Sequence, residues 1–248
     1  NCNTSTQQLR DQRYDAVLHL VSAADGAEQF YTTTNNKERT EGLELARELD
    51  KKVINAWTGH PHLRVINNHE NFDNKINRVL KEIASVLGLP QPITEERKYI
   101  VEPVGELPDS NVSEIMQTYL VTEPGCETRL RHRSWGDKSV NVLTTKKKLS
   151  ATEQIETERQ INDTLYETLL RQSDPYCHPI RKTRRSFIWK GQFFELDTYH
   201  QPINNLSILE TKGVAELEDV NFPPFLKVLA DITGDTNYYN YHIALRHQ

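Results

Sequence analysis

No glycine in this sequence is followed by lysine, and no GxGxxG occurs. Both glycine-rich cradles for nucleotide phosphates, the GxxxxGK[ST] loop and the dinucleotide fingerprint, are therefore missing from the chain as it stands. Cysteine is scarce. Cys2, Cys126 and Cys177 fall in no paired spacing, which argues against a disulfide scaffold or a zinc site and for a reducing, cytoplasmic setting. No apolar run approaches membrane-spanning length. Positive charge is not in excess either: the formal net charge is -5, so nothing marks the whole chain as a nucleic-acid or polybasic membrane binder. Any basic site must be local.

What is present is a polar but globular composition, 36% hydrophobic and 26% charged over 248 residues, enough for one large or two ordinary domains. The first third alternates strand and helix. Tyr14–Val21 reads as a short buried strand. From about Glu41 to Trp57, Leu43, Ala46, Leu49, Val53, Ile54 and Trp57 recur at helical spacing. Leu63–Ile66 is a second strand. Phe72–Leu87 carries a second apolar stripe, with Gly88 suited to its left-handed end and Pro90 just beyond. Two strands are too few for an α/β sheet, so the remaining strands are expected upstream of Asn1. The polar candidates here are Asp25, Arg39 and Arg47. His60 and His62 flank Pro61, but a third metal ligand is not nearby, which favours a structural or solvent-exposed role.

After LGLPQP the pattern changes to short runs alternating with period two, the spacing that puts residues i and i+2 on one strand face roughly 7 Å apart. Glu96 and Lys98 share a face of Thr94–Val101. Arg129 and Arg131 do so in Glu127–Arg133, Thr144 and Lys146 in Ser139–Leu149. Glu156 and Glu158 follow two apart. Ser150 with Glu153 resembles a helical capping box, which would start a helix early; the favoured reading keeps Glu156 and Glu158 in a strand, with a helix from about Asn162 to Leu170. Lys182–Tyr199 reads as a hairpin turning at Lys190-Gly191, with Lys182 and Arg184 on one arm and Glu195 and Asp197 on the other. Asn204-Asn205 turns into Leu206–Thr211, placing Glu210. The end has proline pairs, a short helix and a Gly-Asp turn. The charge pairs are same-sign within a strand, whereas a merely solvated face mixes signs. If the sheet closes, its basic clusters converge on a polyanion, and the acids hold a divalent cation or orient the bases.

These residues resemble the CYTH or triphosphate-tunnel family. The match runs through Thr94-x-Glu96-x-Lys98, Arg129-x-Arg131, Thr144-x-Lys146, Glu156-x-Glu158, Lys182-x-Arg184, Glu195-x-Asp197, Glu210 and DITGDTNYYN. The first third, YDAVLHLVSAADGAEQFY and ARELDKKVINAWTGHPHLRVINN, resembles the second half of a nicotinamide-riboside-kinase-like AAA P-loop domain. In this order the two resemble the TRPL-channel translocation-defect protein family. The resemblance implies an α+β chain: residues 1–90 as half of a P-loop domain, and 91–248 as an antiparallel tunnel barrel with flanking helices.

It further implies GTP or ATP bound by the complete P-loop domain, with Arg39 near the nucleotide phosphates. The tunnel would bind a phosphoinositide or triphosphate-like anion through Lys98, Arg129, Arg131, Lys146, Lys182 and Arg184. Glu156, Glu158, Glu195 and Asp197 are the supporting carboxylates. The main functional reading is a cytoplasmic, membrane-peripheral trafficking regulator without a nucleic-acid partner. One alternative is a metal-dependent triphosphatase in which Glu96 and Glu210 hold Mg²⁺. Another is small-molecule kinase activity in the complete P-loop domain. Thr94 and Lys212 stand where that family's competent enzymes carry metal-holding glutamates, so anion binding is favoured over hydrolysis.

Overall fold

The structure, a computed structural model, describes residues 6–11, 13–33, 40–92, 96–108, 111–151, 153–211 and 220–245. Arg39, Thr94 and Lys212 lie outside this set, and the roles expected of them with it. The chain divides into two compact units, Asn1–Ile83 and Ala84–Gln248.

In the first unit a short helix α1 (Thr6–Asp11) precedes strand β1 (Val17–Leu20). Helix α2 (Leu43–Trp57) leads to β2 (Leu63–Ile66), and α3 (Phe72–Val86) follows. β1 and β2 pair in parallel, Val17 opposite Leu63. A parallel pair needs a crossover, and α2 lies in it. Two short strands bury little of the helices: Leu45 and Val53 of α2 and Leu80 of α3 are exposed. His60 donates its Nε2–H to the carbonyl oxygen of Tyr14 at 2.9 Å and accepts the His62 amide at Nδ1 at 3.0 Å. The ring thus ties two loops together. Arg47 is engaged in the same local way, donating to the Ala24 carbonyl and pairing with Glu28 and Glu44.

The second unit is mostly antiparallel sheet with few helices. Its strands are β3 (Gln91–Pro92), β4 (Arg97–Pro103), β5 (Asn111–Tyr119), β6 (Cys126–Trp135), β7 (Lys138–Lys148) and β8 (Glu153–Ile161). After helix α4 (Asp163–Leu170) come β9 (Ile180–Trp189), β10 (Gln192–Gln201), β11 (Ser207–Thr211) and β12 (Leu226–Asp231), then the short helix α5 (Asn240–Ala244). Their order in the sheet is β12-β4-β11-β10-β9-β5-β6-β7-β8-β3.

That order forces curvature. Laid flat, the eight steps from β4 to β3 would measure about 38 Å at ~4.8 Å each. Yet only residues 93–96 separate β3 from β4 in the chain, and four residues reach at most about 18 Å. The sheet must therefore curl until its two ends approach.

Local chemistry explains the elements. The β9–β10 hairpin turns at Lys190 and Gly191, with φ of 45° and 76°, the two left-handed residues of a type I′ turn that suits twisted strands. Glu153–Ile161 is strand, as favoured. The Ser150 hydroxyl does accept the Glu153 amide at 3.1 Å, but it caps a turn between β7 and β8, and the helix starts only at Asn162, whose side chain accepts the Leu165 amide. Beyond α3, Gly88 has φ +68°, and a Cβ there would meet Thr157 Cγ2 at 2.9 Å, so both conformation and space require glycine. One expectation needs correction. The end of the chain reads as a short helix and a turn, but Leu226–Asp231 is a six-residue edge strand on β4, and the helix lies later, at α5.

The sheet's two faces differ. One is apolar: Tyr99, Val101, Phe187, Phe194, Leu196 and Leu209 pack under Val220, Phe222, Phe225 and Leu226, while Leu130 and Leu143 pack under Tyr166, Leu165, Leu169 and Leu170 of α4. The opposite face carries the period-two charges.

Candidate functional site

Registers bring the charges together. Glu210 on β11 stands opposite Lys98 on β4 and Glu195 on β10. Asp197 stands opposite Arg184 on β9. Ile115 on β5 stands opposite both Lys182 and Arg133. On the other side of β5, Arg129 faces Thr144, which faces Glu158, and Lys146 faces Glu156. All the predicted anion-binding residues and carboxylates thus share the inner face. The curl shows in the charges too: Arg131 on β6 feels Arg184 and Glu195, although β5 and β9 lie between β6 and β10.

The ion pairs fall into two sets. On β9, β10, β11 and β4 most are short, although Arg184 also stands 3.5 Å from Glu210. Lys182 Nζ lies 2.6 Å from Asp197 Oδ2. Arg184 holds Asp197 through Nε and Nη2, both at 2.7 Å, and Glu195 through Nη1 at 2.7 Å. Such forked guanidinium–carboxylate pairs are strong and directional. Lys98 Nζ donates to Glu210 Oε1 at 3.0 Å. Asp197 is fully buried and Lys182 is 1% exposed. Burial pushes the Asp197 carboxyl up, but Arg184 and Lys182 outweigh it and hold the group below the ordinary range. Glu210 is likewise held well below that range, Lys98, Arg184 and Lys182 overcoming burial.

On β6, β7 and β8 the pairs are long. Arg129 stands 3.6 Å from Glu127 and 3.7 Å from Glu156, Arg131 stands 3.5 Å from Glu158, and Lys146 stands 3.3 Å from Glu156. Glu158 accepts its short bond from the Thr144 hydroxyl, at 2.8 Å. Burial lowers the Arg131 guanidinium's pKa, and Arg129 and Arg184 act in the same direction against Glu158 and Glu195. The Nε of Arg129 is buried and has no hydrogen-bond partner, a donor left for something else to satisfy.

One end of this charged space has a floor. Tyr119, Ile180, Tyr199 and Ile208 pack with Ile232, Ile243 and Ala244 of the C-terminal segment. Tyr119 meets Tyr241 edge-on at 5.2 Å. Tyr199 donates to Asn240 Oδ1 at 2.6 Å, and Lys98 lies over the Tyr239 ring. Burial pushes both the Tyr119 and Tyr199 phenols up, so they remain protonated donors.

Arg133, Gln117, Tyr119, Tyr199 and Asn240 are not among the site residues expected from the sequence. Arg133 had a signal, since it continues the period-two row of Arg129 and Arg131. The others are uncharged and identifiable only through their contacts.

Glu96 and Glu210, the expected metal carboxylates, meet at the Lys98 ammonium, 3.9 and 3.0 Å from it. Among the described residues no group of three His, Cys, Asp or Glu side chains converges as a metal site. Mg²⁺ is commonly held by one or two carboxylates plus substrate phosphates. An ion held by this pair would need a phosphate chain to supply its remaining oxygens and would share both carboxylates with Lys98.

No family model matches the chain, and no curated protein matches it. Solved structures similar to it include the inorganic triphosphatase NE1496, 28% identical over 62% of this chain and 97% of that one, with a TM-score of 0.47. The PH1819 protein from Pyrococcus horikoshii OT3 is 22% identical over 50% of this chain and 80% of that one, with a TM-score of 0.36. A conserved hypothetical protein from Pyrococcus furiosus is 19% identical over 50% and 81%, with a TM-score of 0.35. Likenesses at this level carry no inference about this chain. No helix among the described residues is long and apolar enough to cross a membrane.

Proposed function

We infer that the inner face binds a triphosphate-like anion together with a divalent cation and hydrolyses it, as a tunnel-type triphosphatase. The observation that carries this is the mixed face itself: cations at Arg129, Arg131 and Lys146 held only loosely by Glu127, Glu156 and Glu158. A bare polyanion would meet carboxylates as well as cations. A metal-bound polyphosphate brings both signs and suits both partners. Arg129, Arg131 and Lys146 would exchange long carboxylate contacts for charge-assisted bonds to phosphate oxygens. The locked set of Arg184, Asp197 and Lys182 would keep the wall rigid behind them. Glu96 and Glu210 would hold the cation, which supplies charge neutralisation and polarises the bond to be cleaved. The tyrosine floor would limit how deep the chain enters.

A phosphoinositide headgroup, a trafficking role, and GTP or ATP binding by the first unit rest on resemblance alone; no contact among the described residues favours them. Phosphate release from inorganic tripolyphosphate with Mg²⁺ or Mn²⁺ tests the reading. Release is expected from the native chain and lost in Arg131→Ala. Release that Arg131→Ala leaves untouched, or no release at all, would sink it.

A further inference from the structure

Three serines closely follow two or more basic residues: Ser134 after Arg131 and Arg133, Ser150 after Lys146, Lys147 and Lys148, and Ser186 after Arg184 and Arg185. A basophilic serine kinase reads such a run, but it must draw the segment into its own cleft. The fold therefore decides which serine it can reach, and turns open more readily than strand interiors. Ser186 lies inside β9, buried, with β5 and β10 paired on either side. Ser134 is half-buried within β6, opposite Glu114 on one side and Ser139 on the other. Ser150 lies past the end of β7, in the turn to β8, and residues 147–151 are exposed.

The surroundings of Ser150 bear on what a phosphate there would do. The Leu149 and Ser150 amides both donate to the Glu153 carbonyl, and Ser150 Oγ accepts the Glu153 amide at 3.1 Å. A phosphoryl group on that oxygen would bring acceptors of its own and a charge of about -1.5 to -2. Lys146 and Lys148 alternate with Thr144 on the charged face of β7. The Cα of Lys148 can stand no more than about 7 Å from that of Ser150, and the Cα of Lys146 no more than about 14 Å. Lys148 is exposed and faces the uncharged Gln154. Lys146 is held at 3.3 Å by Glu156. The exposed carboxylate at Glu153 opposes a phosphate in this turn, but two long, flexible lysines outweigh it.

Resting on the triphosphatase reading for its consequence, we propose that Ser150 is a phosphorylation site for a basophilic serine kinase, and that its phosphate restrains the anion site by occupying Lys148 and Lys146. The kinase supplies ATP. A bond forms between Ser150 Oγ and the γ-phosphorus as the bond from that phosphorus to the bridging oxygen breaks, ADP leaves, and the hydroxyl proton passes to the kinase's base. The turn then carries its own competitor for the cations at the end of β7.

The test treats the full chain with the catalytic subunit of cyclic-AMP-dependent protein kinase and Mg-ATP, and locates phosphate by peptide mass mapping. One phosphate is expected, on Ser150, absent from Ser150→Ala and added about tenfold more slowly when Lys147→Ala and Lys148→Ala are combined. No phosphate on the native chain, or phosphate on Ser134 or Ser186 instead, would overturn the site. Titration calorimetry with tripolyphosphate and Mg²⁺ then compares the phosphorylated and untreated chains. Phosphorylation should weaken binding about three- to tenfold, and the kinase-treated Ser150→Ala chain should bind as the untreated one does. Equal affinity of the phosphorylated and untreated chains would overturn the restraint while leaving the triphosphatase reading standing. Failure of the untreated chain to bind tripolyphosphate would overturn that reading and the restraint together.

Discussion

The two halves of the inner face use the same residue types at the same spacing and differ in how they use them. On β9, β10, β11 and β4 the shortest pairs lie at 2.6–3.0 Å, with Asp197 gripped by Lys182 and twice by Arg184, and longer ones join Arg184 to Glu210 at 3.5 Å and Lys98 to Glu96 at 3.9 Å. On β6, β7 and β8 they stand at 3.3–3.7 Å. Direct opposition alone does not set the difference. Asp197 and Arg184 face each other across adjacent strands, but Lys182, opposite Tyr199, reaches Asp197 diagonally at 2.6 Å, and Lys146, directly opposite Glu156, stands 3.3 Å from it. A cation already forked to a buried carboxylate has little left to offer a ligand. A cation held loosely at the rim of several carboxylates does. The locked set of Arg184, Asp197 and Lys182 is read as scaffold, the loose set on β6, β7 and β8 as the phosphate seat.

The largest expected effect is on the scaffold. Asp197→Ala leaves Lys182 and Arg184 buried and unmatched, and breaking a buried pair from one side costs about 3–5 kcal/mol. Denaturant unfolding should show that loss, while Arg131→Ala should change stability by no more than ~1 kcal/mol. Equal costs would erase the distinction between the halves.

Next is binding. A hydrogen bond to a charged group is worth roughly 1.5–3 kcal/mol, so Arg131→Ala should weaken tripolyphosphate by about ten- to a hundredfold in titration calorimetry.

Acid sharpens the same contrast. Asp197 and Glu210 have folded-state pKa values below those of the unfolded chain. Their stabilisation is therefore complete above the ordinary carboxylate pKa of about 4, and is lost as pH falls through and below it. Melting temperature should be flat from neutral pH down to that point and then drop. Glu210→Gln should flatten the drop.

The smallest effect concerns the competitor. Glu156→Gln removes a negative charge shared by Arg129 and Lys146 at little stability cost, since half-exposed pairs contribute ~1 kcal/mol or less. Affinity for the bare anion, without Mg²⁺, should rise about two- to threefold. A fall would mean that Glu156 assists the ligand rather than competing with it.

Much of this was legible before the fold. The hairpin at Lys190-Gly191 announces itself through local turn chemistry, and period two alone puts Lys182 with Arg184 and Glu195 with Asp197. What period two does not carry is register. That Asp197 falls to Arg184, and that Glu210 answers Lys98 across 112 residues, depends on pairings between distant strands. The tight and loose halves therefore look alike in one dimension. The floor was invisible for a different reason: Tyr119, Tyr199 and Asn240 are uncharged and come from three separate stretches. Strand β12 was hidden because Leu226–Asp231, LKVLAD, does not alternate: its apolar run between Lys227 and Asp231 fits a helical turn as well as a short strand.

The most direct test of the division is tripolyphosphate titration of two folded variants side by side, Arg131→Ala and Arg184→Lys, with Mg²⁺ present. If the loose set is the phosphate seat, Arg131→Ala loses about tenfold or more in affinity, and Arg184→Lys, where it remains folded, binds within a fewfold of the native chain. If Arg184→Lys loses the ligand and Arg131→Ala keeps it, the phosphate seat lies in the tight half and the account is wrong.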